Sequence, residues 1–220
     1  MSRRRNDLFF FGEEEKVASV QLIFNPLIQL IVRVKTGLLK KRFEDRFFVL
    51  DGIIGRKIEF EDGLVFKDGI EQFIGLNQQH FEVLKMLRLD RDSTLTDILS
   101  GLKISDTILR RMLKFLEERR LISTYKNGKI KLYHRMVELP KIELKERSLA
   151  LENISTAKAE VRDVNLKEAE VREVVKGLFP GSDFVEFKPF LYPVYKVELI
   201  LKGKNRVVWV DGRSGKKIDF

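Results

Sequence analysis

The sequence predicts an α+β fold in which a central helical segment is inserted between two small antiparallel, β-rich repeat units that could pair with each other. One motif occurs twice, as RFFVLDGIIGRKIEF at residues 46–60 and as RVVWVDGRSGKKIDF at residues 206–220. Between the two copies, apolar residues recur at helical spacing. The predicted ranges are residues 1–70 for the first repeat unit, 71–136 for the helical segment, 137–166 for a linker with edge strands, and 167–220 for the second repeat unit.

The repeated motif contains an Asp-Gly pair in each copy, at Asp51 and at Asp211. Two related carboxylates could hold a metal ion, but Asp-Gly is also common in turns, and a repeated turn explains the repetition. We therefore predict two turns and no metal site. Upstream of the motif, residues 24–26 (Phe-Asn-Pro) match residues 187–189 (Phe-Lys-Pro), and each proline leads into a further β-rich stretch.

The second copy shows the more complete unit. Residues 167–179 have helical periodicity, and three β-rich runs follow at 184–187, 194–201 and 206–211. A helix followed by antiparallel strands with Asp and Gly in the last turn resembles a small PepSY-like α/β unit. That resemblance implies a secreted or membrane-linked protein associated with protease inhibition, for which the flanks carry no supporting signal. The first copy lacks a clear leading helix.

The central segment reads as three helices and a hairpin. Asn77 is predicted to cap a first helix, and the Ser-Thr pair at 93–94 indicates the start of a second. Ser105 is predicted to cap a third helix over residues 106–120. Asn127-Gly128 then predicts a tight hairpin, because a type I′ turn needs two residues at positive φ.

This order of elements resembles a winged helix-turn-helix domain. In that family the third helix enters the major groove of DNA and the wing touches the adjacent backbone. The resemblance implies that Arg110, Arg111 and Lys114 enter the groove and that Thr107 meets a phosphate or a base edge. It also implies that the wing grips the phosphate backbone through Lys126, Lys129 and Lys131.

Composition narrows the function classes. The chain has no cysteine, which excludes disulfides, thiolate zinc sites and cysteine nucleophiles. Phosphate-binding glycine loops are absent, and His80 and His134 lie in no sequence context typical of a catalytic triad. We predict a non-enzymatic protein without cofactor. No segment is apolar for long enough to cross a bilayer, so we expect no membrane partner and a cytoplasmic location. The 34% of charged residues is thermophile-like and archaeal-like in style.

The chain carries a net charge of +9, which favours a polyanionic partner. The leading prediction is a protein that binds duplex DNA, as a transcription regulator or as an accessory factor in DNA processing. Because one helix reads only a few base pairs, we also expect a homodimer or a protein partner.

Two alternatives remain open at this point. In the first, the chain is an adaptor whose β-units and helical segment dock a partner protein. In the second, the paired β-units enclose a small molecule near four aromatic residues, which would serve equally as core: Phe187, Phe190, Tyr192 and Tyr195. DNA binding predicts an uninterrupted positive face on the third helix, whereas an adaptor predicts that a β-unit covers this helix and leaves an apolar patch elsewhere.

Overall fold

The structure is a computed structural model that describes residues 15–36, 42–60, 63–140, 142–145, 149, 151, 159–201 and 204–218. Residues 1–14, which begin the predicted first unit, and residues 219–220, which end the second copy of the motif, lie outside the described residues.

Strands make up most of the regular structure. In chain order they are β1 (Glu15–Thr36), β2 (Arg42–Asp51), β3 (Lys57–Phe60), β4 (Leu64–Lys67), β5 (Ser93–Thr94), β6 (Ile122–Asn127), β7 (Ile130–Arg135), β8 (Glu160–Val161), β9 (Asp183–Leu201), β10 (Lys204–Asp211) and β11 (Lys217–Ile218). The helices are α1 (Gln78–Met86), α2 (Leu95–Ser100), α3 (Asp106–Glu118) and α4 (Glu168–Leu178), with a short 3₁₀ helix at Glu71–Phe73.

One large sheet dominates the molecule. Its strand order is β11-β10-β9-β1-β2-β3-β4, and β8 lies parallel to β1 outside this path. The long strands β1 and β9 pair antiparallel at its centre, from Glu15 opposite Leu201 to Arg33 opposite Asp183. Each of these two strands runs through both halves of the sheet, so the two repeat copies are halves of one sheet.

The predicted α+β fold class, with a winged helix-turn-helix domain inserted between small repeat units, is therefore wrong. The protein is predominantly β, and its centre is the large antiparallel sheet with few and short helices. The resemblance to a winged helix-turn-helix centre flanked by PepSY-like units is overturned by the same observation. The physical reason is the β1–β9 ladder, which joins residues 150 or more positions apart and leaves no local signal in either segment.

The structure also corrects the upstream alignment of the two copies. Gly52 donates a backbone hydrogen bond to the carbonyl of Pro26 at 2.8 Å, and Gly212 donates the same bond to Pro193 at 3.0 Å. Pro193 is thus the counterpart of Pro26, and the predicted match with residues 187–189 is wrong. Two Phe-x-Pro sequences occur by coincidence near the true equivalence.

The two faces of the sheet bury different cores. On one face, Ile23, Leu27, Val49, Tyr192 and further apolar residues pack together inside the curved sheet. On the other, the apolar residues of β1 and β2 form one continuous core with the helices and with the β6–β7 hairpin. The helices and this hairpin therefore rest on one side of the sheet.

The sheet is nearly closed into a barrel. The backbone N–H of Leu64, at the start of β4, donates to the Asp211 carboxylate at 2.7 Å, although these residues belong to opposite ends of the sheet. Nearby, the rings of Phe60 and Tyr192 lie 5.5 Å apart. These contacts tie the two ends of the sheet together, although in the described part of the chain no strand ladder joins β4 and β11.

Local predictions in the helical segment hold. The Asn77 side chain accepts from the His80 N–H at 3.1 Å, and Ser105 accepts from the Ile108 N–H at 3.3 Å, so both residues cap helices as predicted. The hairpin also forms, but Asn127 pairs with Ile130 and the two loop residues are Gly128 and Lys129. Only Gly128 has positive φ, at 61°, which is the pattern of a type II′ turn, so the predicted type I′ turn is wrong.

Candidate nucleic-acid interface

Helix α3 and the β6–β7 hairpin present an exposed surface that contains all seven residues predicted to contact DNA. We call this surface the basic face; it consists of Thr107, Arg110, Arg111, Lys114, Lys126, Lys129 and Lys131, each of which is exposed. On α3, Thr107 precedes Arg110 and Arg111 by three and four residues, and these two precede Lys114 by four and three residues, so the four side chains are neighbours on the helix surface. Among the described residues, no strand of the large sheet covers these side chains, since all seven residues are exposed.

The orientation of α3 follows from its apolar residues. Leu109, Met112, Leu113 and Leu116 are buried and point into the shared core. The intervening polar residues must then face solvent, because the helix repeats every 3.6 residues. Ile108 is also apolar, but 44% of its surface is exposed. It lies at the margin of the basic face, beyond the reach of the core.

Acidic neighbours neutralise part of the basic face. Arg110 Nε lies 2.8 Å from Asp106 Oδ2, and this carboxylate raises the pKa of the Arg110 guanidinium. Lys114 and Glu118 are 3.8 Å apart, and Lys131 lies 3.9 Å from Glu117. All three pairs are exposed, so each contributes little to stability and is screened by salt.

The remaining three cations have no ion-pair partner among the described residues: Arg111, Lys126 and Lys129. The uninterrupted positive face that DNA reading required is therefore not present, because Asp106, Glu117 and Glu118 lie within it.

The hairpin holds two lysines against each other. Lys126 lies directly opposite Lys131 in the β6–β7 ladder, so both side chains project from the same face of the hairpin. That face is turned towards α3, since Thr124 on it donates to the Glu117 carboxylate. Like charges in directly opposed positions destabilise a strand pair. An anion bound between the two lysines would relieve this repulsion.

The opposite face of the hairpin carries a cluster that sequence reasoning missed. The Asp92 carboxylate accepts a hydrogen bond from the Tyr125 hydroxyl and lies 3.2 Å from Nδ1 of His134. His134 points to this other side of the hairpin, away from the basic face. The alternation of side chains along a strand contained the signal, because residues 131 and 134 differ in parity.

His80 has a structural role. Its Nδ1 accepts from the backbone N–H of Asn77 at 3.2 Å, which completes the reciprocal cap of α1. Burial and the nearby charge of Arg119 lower the pKa of His80. An imidazole whose Nδ1 accepts a hydrogen bond is in its neutral form, which is consistent with that direction.

The two Asp-Gly pairs form turns, as predicted. Asp51 Oδ2 accepts from the backbone N–H of Ile54 at 2.8 Å, and Asp211 Oδ1 accepts from the N–H groups of Arg213 and Ser214, each at 2.8 Å. In the part of the chain that the structure describes, no group of three or more His, Asp or Glu side chains is arranged to hold a metal ion.

The four aromatics of the ligand-pocket alternative do not enclose one space. Phe187 packs with the helices, Phe190 and Tyr192 pack inside the curved sheet, and Tyr195 is 37% exposed. They belong to opposite faces of the sheet, so they cannot line a common pocket.

Comparison of the chain with protein-family models, with curated proteins and with solved structures found no match. No family evidence therefore supports transcription regulation, and DNA reading by a winged helix is withdrawn together with the fold resemblance. Within the described ranges, no helix combines the length and the apolarity needed to cross a bilayer.

Proposed function

We propose that the protein binds the phosphate backbone of a nucleic-acid duplex through the basic face of α3 and the β6–β7 hairpin. The observation that carries this proposal is the opposition of Lys126 and Lys131 next to α3. Two ammonium groups held on one face of a hairpin form a site for a phosphate, whose binding replaces repulsion with attraction.

Charge distribution supports this site. Residues 77–136 contain thirteen Lys and Arg residues against seven Asp and Glu residues, so they hold +6 of the net +9 of the chain. Each phosphate neutralised by a cation releases condensed counterions, and this gain is independent of base sequence. The carboxylates of Glu117 and Glu118 limit how closely α3 can approach a polyanion. Phosphate contact is therefore proposed in place of base reading in the groove.

The size of the basic face suggests how the protein works with others. Six cations, three of them already paired with carboxylates, support only weak binding at physiological salt. We therefore propose that the protein acts as a homodimer or beside a protein partner, which would place two such surfaces on one duplex. Its proposed location is the cytoplasm, in keeping with the cysteine-free composition.

A protein-docking role is the second candidate. Ile108, Tyr125 and Ile130 are 44%, 46% and 57% exposed, and all three lie on α3 or on the hairpin. Exposed aromatic and aliphatic residues beside charged groups are typical of protein interfaces. Binding of this kind would depend on apolar contact and would respond weakly to salt.

The test is fluorescence anisotropy on a labelled duplex of mixed sequence between 50 and 300 mM salt. The triple variant Arg111→Ala/Lys126→Ala/Lys129→Ala removes the three cations that lack ion pairs and disturbs no ion pair in the described structure. We expect at least a tenfold loss of affinity at 100 mM salt and a shallower salt dependence, by about two to three in slope.

The matched control removes three exposed lysines elsewhere that likewise have no ion pair among the described residues, as Lys16→Ala/Lys35→Ala/Lys188→Ala. The control carries the same change in net charge as the test variant. Because its three lysines lie outside the basic face, it should retain most of the affinity. An equal loss in both variants would mean that total charge, and not the basic face, drives binding. Absence of binding by the unaltered protein at 50 mM salt would end the proposal and favour protein docking.

A further inference from the structure

The two copies of the repeat place equivalent lysines in different surroundings. Lys57 begins β3 after the first Asp-Gly turn, and Lys217 begins β11 after the second. Lys57 is only 6% exposed, whereas Lys217 is exposed to solvent. The turn and the strand that follows it therefore do not require a buried lysine. Since burying a charge costs free energy, the burial of Lys57 indicates a feature specific to the first copy.

Lys57 is held by one carboxylate. Its Nζ lies 2.7 Å from Glu59 Oε1, and this contact lowers the pKa of the Glu59 carboxyl group. An ammonium group has three N–H donors. In the described part of the chain Glu59 is the acceptor for one of them, so two donors remain for another partner.

Two adjoining cavities meet at Lys57. The larger is an open polar cleft of about 650 Å³ between the β3–β4 hairpin and a wall formed by residues 137–140 and Glu143. The smaller is an apolar pocket of about 130 Å³, lined mainly by aromatic and aliphatic side chains that include Phe47, Phe60 and Leu149. Lys57 and Glu143 line both cavities, so the two cavities adjoin at these residues.

The charges around the cleft are sorted by depth. Lys57 is its most buried charged residue and is paired with the half-buried Glu59, while Asp68, Glu138 and Glu143 are exposed carboxylates on its walls. Lys67 also lines the cleft and is exposed. Carboxylates outnumber lysines here, so a ligand with only negative charge would be repelled at the rim. A ligand with one anionic and one cationic group matches both the deep lysine and the outer carboxylates.

We propose that this cleft binds a small zwitterion with an apolar side chain, of the class of a hydrophobic α-amino acid. The ligand carboxylate accepts from the two remaining donors of Lys57, and its ammonium group faces the carboxylates of the rim. The side chain occupies the apolar pocket, whose volume is close to that of cavities known to take up benzene. This site is separate from the basic face and does not depend on nucleic-acid binding.

The first test is isothermal titration calorimetry of the full chain with three probes. L-Phenylalanine carries both charges, 3-phenylpropanoate lacks the ammonium group, and phenethylamine lacks the carboxylate. We expect measurable binding of phenylalanine and at least tenfold weaker binding of each of the other two. Equal binding of 3-phenylpropanoate would overturn the role of the rim carboxylates, and no heat from any probe at 10 mM would overturn the site.

The second test uses the repeat itself as its control. Lys57→Met removes the buried charge at similar volume, and Lys217→Met makes the same change in the second copy. We expect the first variant to lose phenylalanine binding at least tenfold and the second to keep it. Equal effects of the two variants would contradict the proposal.

A third variant protects the test against loss of folding in Lys57→Met. Leu149→Phe enlarges a side chain that lines the apolar pocket and leaves every charge in place. It should weaken phenylalanine at least fivefold while glycine, which needs no pocket, binds as it does to the unaltered protein. Unchanged phenylalanine binding would show that the pocket does not hold the side chain.

Discussion

The two Asp-Gly turns share one backbone geometry, but their carboxylates accept hydrogen bonds from different parts of the molecule. In both, the Asp N–H and carbonyl bond within the turn and the following glycine bonds to a proline carbonyl. Among the described residues, the Asp51 carboxylate accepts hydrogen bonds only within its own turn, and burial raises its pKa. The Asp211 carboxylate also accepts from Leu64 N–H at 2.7 Å and from the Tyr192 hydroxyl at 2.9 Å. The same motif is a local turn in one copy and a tie across the whole sheet in the other.

At the centre of the β1–β9 ladder, the side chains of the two halves also differ in their hydrogen bonds. Asn25 lies directly opposite Tyr192, at corresponding positions just before Pro26 and Pro193. The Tyr192 hydroxyl reaches Asp211, whereas Asn25 Oδ1 is buried and has no hydrogen-bond partner among the described residues. The two copies therefore share their backbone conformation, and the side chains at the Asn25–Tyr192 pair of the β1–β9 ladder distinguish the two halves.

The largest expected effect separates the two aspartates. Asp211→Asn should lower the free energy of unfolding by about 3 kcal/mol, because an amide cannot accept the four hydrogen bonds that this carboxylate receives. Asp51→Asn should change it by no more than about 1 kcal/mol at pH 7, since burial already penalises its charged form. Urea denaturation of both variants measures the difference. Equal losses would contradict the prediction that the two carboxylates contribute unequally to the free energy of unfolding.

The two aspartates should also give opposite pH dependence. Burial acts to raise the pKa of Asp211, but its hydrogen bonds outweigh that and lower it, so its stabilisation is present above the ordinary value of 3.8 and is lost on acidification. The raised pKa of Asp51 means that stability falls as pH rises through the range above 3.8. Unfolding measured from pH 3 to pH 7 should therefore lose part of its acid sensitivity in Asp211→Asn and gain acid sensitivity in Asp51→Asn.

A smaller and equal effect is expected at the two glycines after these aspartates. A Cβ at Gly52 would lie 2.8 Å from the Pro26 carbonyl oxygen, and one at Gly212 would lie 2.6 Å from that of Pro193. Both contacts are with backbone, which must shift to relieve them. Gly52→Ala and Gly212→Ala should each cost about 2 kcal/mol in thermal or urea unfolding. A difference of more than about 1 kcal/mol would show that the two turns are not geometrically equivalent.

The smallest effects, of opposite sign, are expected at the Asn25–Tyr192 pair of the β1–β9 ladder. Tyr192→Phe should cost about 1 kcal/mol, because Asp211 loses one donor while retaining three. Asn25→Leu should be neutral or stabilising by up to about 1 kcal/mol, since it removes a buried polar atom without a partner. Melting temperatures of both variants provide the measurement. Destabilisation of Asn25→Leu by more than about 2 kcal/mol would mean that Asn25 has a partner or a role beyond these contacts.

Local features of the fold were predictable from the sequence. The caps at Asn77 and Ser105, the Asp-Gly turns and the presence of the β6–β7 hairpin depend on hydrogen bonds within a few residues. The amphipathic pattern of α3 likewise predicted that Arg110, Arg111 and the other candidate contacts are exposed. In each case the interaction that decides the structure lies inside the window that the pattern covers.

Only the tertiary structure decided the rest. The β1–β9 ladder turned two expected small units into one sheet, and the Leu64–Asp211 hydrogen bond drew its ends together. The tertiary structure also set the partners of charged side chains, so that Lys131 faces Glu117. It buried Lys57 as well, whereas the equivalent Lys217 is exposed. These outcomes depend on residues that are distant in the chain. A repeated motif specifies a repeated backbone conformation. The contribution of each side chain to the free energy of unfolding depends on which residues from the other half of the molecule contact it.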